Sequence, residues 1–398
     1  MSTTEAPVRT TRRVHWLELF FDLVMVAFIG QVAHTMHGDP SLMDGVAFVG
    51  FLAAAWWVWA NATITLNLFG ARITPWIWIG VTVVMIAVGV MAAAIPEALG
   101  ERADAFALAN AVIRLVWVAP WLLNRRTSGQ PWWRSTIYTG VPVLLWSLST
   151  LVEPPWQVAM WVAAVAIEIG LLSSLRGQQT WLNETLDVNH LAERVGLFVV
   201  IVFGESILTI IAELDAHWMS PSGVTAVLGF AAVSMLAWIY FGYAAGAVER
   251  GLRGLQGRGS VDGLRDSVMY LPFLLVAGVT LFASALGTAV AETGHHLPLG
   301  AAVALAAGIC LFFVASAAEA LRYGAPWRGI AVWALPGALL PWALVPLSGA
   351  VTAEVVVAAS IVVIAVELAL VAATVRRARA KFGVSAAGST DARRRADR

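Results

Sequence analysis

The sequence holds one cysteine, Cys310, inside an apolar stretch. A lone thiol closes no intrachain disulfide and builds no cysteine metal cluster, so both kinds of scaffold are excluded. Charge is scarce as well: Asp, Glu, Lys and Arg make up 13% of the chain, against about 25% in soluble domains. With 59% hydrophobic residues and a mean hydropathy of +0.78, the chain is far too apolar for a soluble protein. The composition points to a polytopic, all-α membrane protein. No Walker-type lysine loop, no H-E-x-x-H and no G-x-S-x-G occurs, which removes the commonest signatures of nucleotide, zinc-protease and serine-hydrolase chemistry. Nothing suggests nucleic acid as a partner, and no cofactor or metal is expected.

What is present begins with "WLELFFDLVMVAFIGQVAH", residues 16–34, long enough to cross a bilayer yet carrying Glu18 and Asp22. A hydrophobic run of about 20 residues spans a hydrocarbon core. By that measure spans are expected near 16–36, 42–67, 75–95, 103–123, 135–151 and 156–174, then 189–213, 221–246, 265–289, 298–321, 328–347 and 352–375. The polar, basic start and the two acids inside the first span argue against a cleaved signal peptide.

Orientation follows from arginine. Short cytoplasmic loops carry the basic excess, and here every second boundary is basic: Arg9, Arg12 and Arg13; Arg72; Arg125, Arg126 and Arg134; Arg176; Arg250, Arg253, Arg258 and Arg265; Arg322 and Arg328; Arg376, Arg377, Arg379 and Lys381. The other boundaries carry Glu97, Glu101, Asp104, Glu153, Asp215, Glu292 and Glu354, with Arg102 alone opposing them. The expectation is a multi-pass protein of the bacterial cytoplasmic membrane with both termini in the cytoplasm. Trp16, Trp76, Trp132, Trp133, Trp156, Trp181, Trp218 and Trp327 fall at span ends, where indole rings favour the interface. Trp56, Trp57 and Trp59 fall inside the second span and are expected to pack between helices.

The two halves can be laid on each other. "LELFFDLVMVAFIGQVAH" aligns with "VGLFVVIVFGESILTIIA", Trp146 with Trp342, and "AVAIEIGLLSSLR" with "VIAVELALVAATVR", which sets Glu168 on Glu367. The separation widens steadily along the chain, as loop insertions would make it. Six spans per half is an even number, so the duplication predicts two parallel six-helix repeats about an axis along the membrane normal. The expected organisation is a cytoplasmic segment 1–14, a first repeat 15–175, a linker 176–188 with an interfacial half-helix, a second repeat 189–376 and a disordered tail 377–398.

Ionisable groups inside spans are expensive and usually face a protein interior or a watery cavity. The candidates for a ligand or ion pathway are Glu18, Asp22, Arg114, Glu168, Arg194, Glu205 and Glu367, with His190, Ser206 and Asn61 as polar neighbours. Glu18 and Asp22 are four residues apart and share a helix face. Asn183, Asp187, His190 and Arg194 form a second stripe, and Glu205 lies about 16 Å beyond Arg194 on the same face. Bland alternatives stand beside each. Glu18 sits near its span end and reads equally as a headgroup-zone residue; Asp22 reads as a structural ion pair with Arg194 or Arg114; Arg114 requires an acidic partner; Glu168 and Glu367 read as structural pairs, and Asn61 as an interhelical hydrogen bond. Glu205 in "FGESIL" is expected to belong to a polar network with Arg194, Asp22 or Arg114, with Gly204 permitting close helix approach. His34, His37, His217, His295 and His296 map to the face opposite the basic loops, in no metal-ligand spacing, and solvent exposure is their simplest reading.

The words "WLELFFDLVMVAF" and "HLAERVGLFVVIVFGESIL", supported by "WWVWANA" and "WIYF", resemble the bacterial low temperature requirement protein A family over most of 15–375. The sequence follows the family words at His190, Glu193, Arg194, Gly204, Glu205 and Ser206. The resemblance implies a multi-pass membrane protein linked by name to growth in the cold, and brings no substrate, cofactor or catalytic residue. From the residues, the leading expectation is a transporter or channel for a small solute or ion, with or without proton coupling, embedded in the lipid bilayer. The alternatives are an intramembrane enzyme acting on lipid or a lipid-linked substrate, which would need a nucleophile that the sequence does not show, and a non-catalytic membrane-adaptation scaffold.

Overall fold

A computed structural model of the chain describes residues 14–69, 74–123, 132–173 and 179–396. Among them there is no β-strand, only an isolated bridge between His296 and Thr352. The first half contains α1 (Trp16–His34), α2 (Leu42–Phe69), α3 (Pro75–Ala94), α4 (Ala103–Leu123), α5 (Trp132–Leu148) and α6 (Trp156–Ser173). A short α7 (Gln179–Thr185) fits the half-helix expected in the linker. The second half contains α8 (Val188–Ala216), α9 (Ser220–Ile239), α10 (Ala245–Gly257), α11 (Val261–Arg265), α12 (Leu271–Ala291), α13 (Leu299–Arg322), α14 (Trp327–Leu339), α15 (Leu344–Ser348) and α16 (Ala353–Ala396).

Ten helical runs among the described residues are long and apolar enough to cross a membrane, α9 with α10, α11 with α12 and α14 with α15 each counting as one run. Two more apolar helices, Thr136–Leu151 and Trp156–Leu171, are shorter. Several of the basic boundary residues, Arg9, Arg12, Arg13, Arg72, Arg125, Arg126 and Arg176, lie outside the described residues, as do the side chains of Trp132, Trp133, Arg134, Arg379 and Lys381. Into the stretch 377–398, where a disordered tail was expected, helix α16 continues as far as Ala396. Alanine and arginine, frequent in that stretch, are among the strongest helix formers.

Local chemistry accounts for the helix starts. His15 caps α1 by accepting the Leu17 N–H on Nδ1 at 3.1 Å. Thr74 caps α3 just before Pro75, whose missing N–H costs nothing in a first turn. Asp187 caps α8, its carboxylate accepting the N–H groups of Asn189 and His190 at 3.0 and 3.2 Å. That cap fixes the start of the helix that carries His190.

Within the first half α1 packs on α3, α3 on α4, α4 on α5 and α5 on α6; within the second, α8 packs on α12, α12 on α13, α13 on α14 and α14 on α16. The halves meet where α1 lies against α8 and α12, and α2 against the same two helices. Helix α12 is the hub: the apolar window of its run is 83% buried, against 22–61% for the other nine. Trp56, Trp57 and Trp59 are buried between helices as expected, and Trp16, Trp76, Trp156, Trp218 and Trp327 are exposed at helix ends. Residues 266–270 form a π-helical turn, and the Met269 carbonyl there accepts the Trp56 indole N–H. A wider turn redirects backbone carbonyls out of the α-helical ladder, and here one of them ties α2 to the hub.

Candidate functional site

Two i, i+4 pairs face each other across the contact of α1 with α8. Glu18 and Asp22 come from α1, His190 and Arg194 from α8, and all four are fully buried. Arg194 reaches both acids, with Nη2 donating to Asp22 Oδ1 at 3.0 Å and Nη1 lying 3.5 Å from Glu18 Oε2. The Trp59 indole N–H donates to the same Asp22 oxygen at 2.8 Å. The guanidinium also lies 5.8 Å from the Phe21 ring centre and 5.9 Å from that of Trp59, within cation–π range. The headgroup-zone reading of Glu18 is therefore corrected. Position near a span end describes depth along the helix, and the neighbour across it, α8, encloses the side chain.

The histidine tautomer follows from its neighbours. The Asp187 N–H donates to Asn67 Oδ1 at 3.1 Å, which fixes the amide; its Nδ2 then donates to the Asp187 carbonyl and to His190 Nδ1, both at 3.0 Å. With Nδ1 accepting, a neutral ring carries its proton on Nε2, and Nε2 is 2.8 Å from Glu18 Oε2. The result is a buried cluster, Asn67, His190, Glu18, Arg194, Asp22 and Trp59, drawn from α2, α8 and α1, in which His190 Nε2 lies close to Glu18 Oε2 without forming a hydrogen bond among the described residues. Asp22 Oδ2 and Arg194 Nε have no hydrogen-bond partner among the described residues. His190 Nε2 is a third such atom, so one acceptor and two ring or guanidinium nitrogens are left without hydrogen bonds in the middle of the cluster.

The other candidates separate from this centre. Arg114 grips Glu168 with a two-point fork, Nε to Oε1 at 2.9 Å and Nη2 to Oε2 at 2.8 Å. Its Nη1 donates to the Asn110 side chain and carbonyl at 2.9 and 3.2 Å, and its plane lies 5.2 Å from the Trp146 ring centre. This is the acidic partner Arg114 required, a satisfied pair joining α4 to α6. Asn61 accepts the Tyr138 hydroxyl at 2.9 Å, an interhelical bond as expected. Ser206 donates to the Val202 carbonyl in its own helix.

Glu205 does not join Arg194, Asp22 or Arg114; among the described residues it has no ion pair, and its carboxylate lies against Gly30 of α1. The close approach is at Gly30 rather than Gly204, around which a Cβ would meet nothing within 4 Å. A shared helix face aligns Glu205 with Arg194 in azimuth, but about 16 Å of rise separates them. Glu367 is fully buried with neither carboxylate oxygen bonded among the described residues.

A cavity of about 760 Å³ opens inside the second half, lined mainly by apolar side chains such as Ile239, Phe313 and Trp333, with Tyr243, Tyr323 and the carboxylate of Glu319. It is separate from the charged cluster. Glu319 was not singled out from the sequence, because it stands three residues before Arg322 and reads as a span boundary; the structure leaves it 4% exposed. Asn67 and Trp59 were likewise not read as parts of this site, whereas Asp187 was placed on one stripe with His190 and Arg194. Of the five histidines assigned to one face, His34, His217, His295 and His296 are exposed, and His37 is partly buried, 3.1 Å from Glu213.

Comparison with known proteins places this geometry in context. The family model described as bacterial low temperature requirement A protein (LtrA) matches residues 13–373. An uncharacterized protein of Rhizobium meliloti (strain 1021) is 32% identical over 238 residues, 56% of this chain and 57% of that protein. The chain thus spans little more than half the length of that curated relative. No solved structure matches the chain.

Proposed function

The chain belongs to the bacterial low temperature requirement A family, and from that premise we propose that it is a proton-linked transporter or channel for a small solute or ion, seated in the bacterial cytoplasmic membrane. The observation that carries this reading is the buried cluster from His190 to Asp22. The His190 imidazole lies 2.8 Å from the Glu18 carboxylate, and a proton passed between them would change the charge that Arg194 must balance. Because Glu18 and Asp22 belong to the first half while His190 and Arg194 belong to the second, the proton's position sets the attraction between halves. Transporters built from repeats move one half against the other around a site at their interface. The unspent Asp22 Oδ2 and Arg194 Nε offer a place for a polar solute, an ion or water. Glu205 and Glu367 are further proton-carrying candidates along the pathway.

The finer architecture belongs to the same proposal: twelve spans, two parallel six-helix repeats and cytoplasmic termini. The order of packing supports the repeat, since α1–α3–α4–α5–α6 is answered by α8–α12–α13–α14–α16. Reporter fusions at residues 153 and 294 should both report the outside of the cell; a cytoplasmic signal from either one overturns this topology.

Transport itself is tested in liposomes carrying the purified protein and a trapped pH dye, screened against sugars, amines, organic acids and inorganic ions. At least one solute should drive a pH change above that of empty vesicles, and Asp22→Asn should abolish it while the protein still elutes as a folded species. No solute-driven or pH-driven flux from the wild-type protein across the whole panel would count against transport.

A further inference from the structure

At the bundle end opposite Val14, the last residue of α1, His34, stands beside His37 in the turn that follows, their rings 4.6 Å apart centre to centre. Glu213, near the end of α8, brings Oε1 to 3.1 Å from His37 Nδ1. One donor atom from each of His34, His37 and Glu213 lies within 4.8 Å of the others. We propose that these three side chains form a binding site for a divalent transition-metal ion of the zinc type, bridging α1 of the first half to α8 of the second.

The ligand set suits that class. Two imidazoles and a carboxylate favour zinc or its first-row neighbours over magnesium or calcium, which prefer all-oxygen shells. Zinc binds these atoms at about 2.0–2.2 Å in a tetrahedron, so donor atoms settle about 3.4 Å apart. Reaching that from the present spacing takes side-chain rotations of the order of 1 Å, which the exposed His34 and the end of Glu213 can make. The fourth position is left to water, and His217 stands beside the site, its Nδ1 3.0 Å from the Glu213 carbonyl oxygen and 3.5 Å from Glu213 Oε2.

The site is built into the fold. The turn carrying His37 is clamped to two other elements: Gly38 N–H donates to Thr288 Oγ1 of α12 at 3.0 Å, and Gly300 N–H donates to Asp39 Oδ1 at 2.7 Å. Gly38 has φ of 78°, a left-handed conformation that glycine tolerates without strain. Room for the ligands comes from Gly287 on α12, where a Cβ would sit 3.2 Å from both Glu213 Cγ and His37 Cε1. His37 Nε2 is buried with no hydrogen-bond partner among the described residues.

The proposal is independent of transport and is tested on the full-length protein in detergent, stripped with chelator and titrated calorimetrically with zinc alone. One saturable equivalent is expected, unaffected by excess magnesium. Loss of a second-shell group costs about 10- to 100-fold in affinity, so His37→Ala and the surface change His34→Gln should each weaken binding by at least about 100-fold. His295→Ala, at the same end but outside the site, should bind as wild type does. Cobalt added to the wild-type protein should give the intense visible bands of four-coordinate Co²⁺, a readout that needs no variant to fold. Absence of saturable zinc binding, or equal binding by wild type and both site variants, overturns the proposal.

Discussion

Replacing Arg194 with leucine should lower the unfolding free energy by about 3–5 kcal/mol, the cost of leaving a buried charge without its partner. Arg194 is fully buried and reaches Asp22 at 3.0 Å and Glu18 at 3.5 Å. Removing it strands Asp22 with only the Trp59 indole as donor. The double change Asp22→Leu with Arg194→Leu should recover a large part of the loss, because replacing both members of a buried pair by apolar groups is often close to neutral. Thermal unfolding in a single detergent measures both variants. If Arg194→Leu melts with the wild type, the buried cluster contributes nothing to stability and its role as a link between halves falls with it.

Much of this centre was legible in the sequence, and the reason is periodicity. Glu18 and Asp22 on one helix, and His190 and Arg194 on another, are each four residues apart, so two charged faces could be predicted without knowing what they met. Facing partners are a tertiary fact. Arg194 was a candidate partner for Asp22, and the structure selects it, giving Arg114 to Glu168 instead. Glu205 shows the limit more sharply. Its azimuth matched Arg194, but helical rise set it apart, and its neighbour is a glycine on α1 that no local pattern marks.

Depth misled at both ends of the scale. Glu18, close to a span end, is enclosed by α8, and Glu319, three residues from a boundary arginine, is buried beside a cavity. The histidine and acid of the proposed metal site are separated by 176 positions, so spacing rules within one segment could not join them. Helix number is the remaining difference. Runs of apolar residues mark spans well, but α5 and α6, at 17 and 18 residues, fall at or below the usual spanning length.

Close helix contact is where the sequence is least informative, and where the second large effect is expected. Glycines are numerous, and Gly204 looked like the one that mattered. The structure moves that role to Gly278 and Gly308, where α12 and α13 touch backbone to backbone. A Cβ on Gly278 would lie 2.8 Å from the Gly308 carbonyl oxygen and 3.0 Å from Phe312 N; one on Gly308 would lie 2.7 Å from both the Gly278 oxygen and Phe282 N. Small residues at helix crossings let backbones approach, and packing rather than hydrophobicity holds helices together in lipid. Backbone atoms cannot rotate aside as a side chain can, so even a methyl group must push the helices apart. Gly308→Ala should therefore cost about 1–3 kcal/mol, the range for overpacking a filled core. Gly308→Leu should yield little folded protein, since α12 is the most buried helix of the bundle. Gly204→Ala is the matched control: its Cβ meets nothing within 4 Å, and inside a helix the change should be neutral or stabilise by up to about 1 kcal/mol. Equal melting of Gly308→Ala and Gly204→Ala would show that the α12–α13 crossing is looser than these distances require.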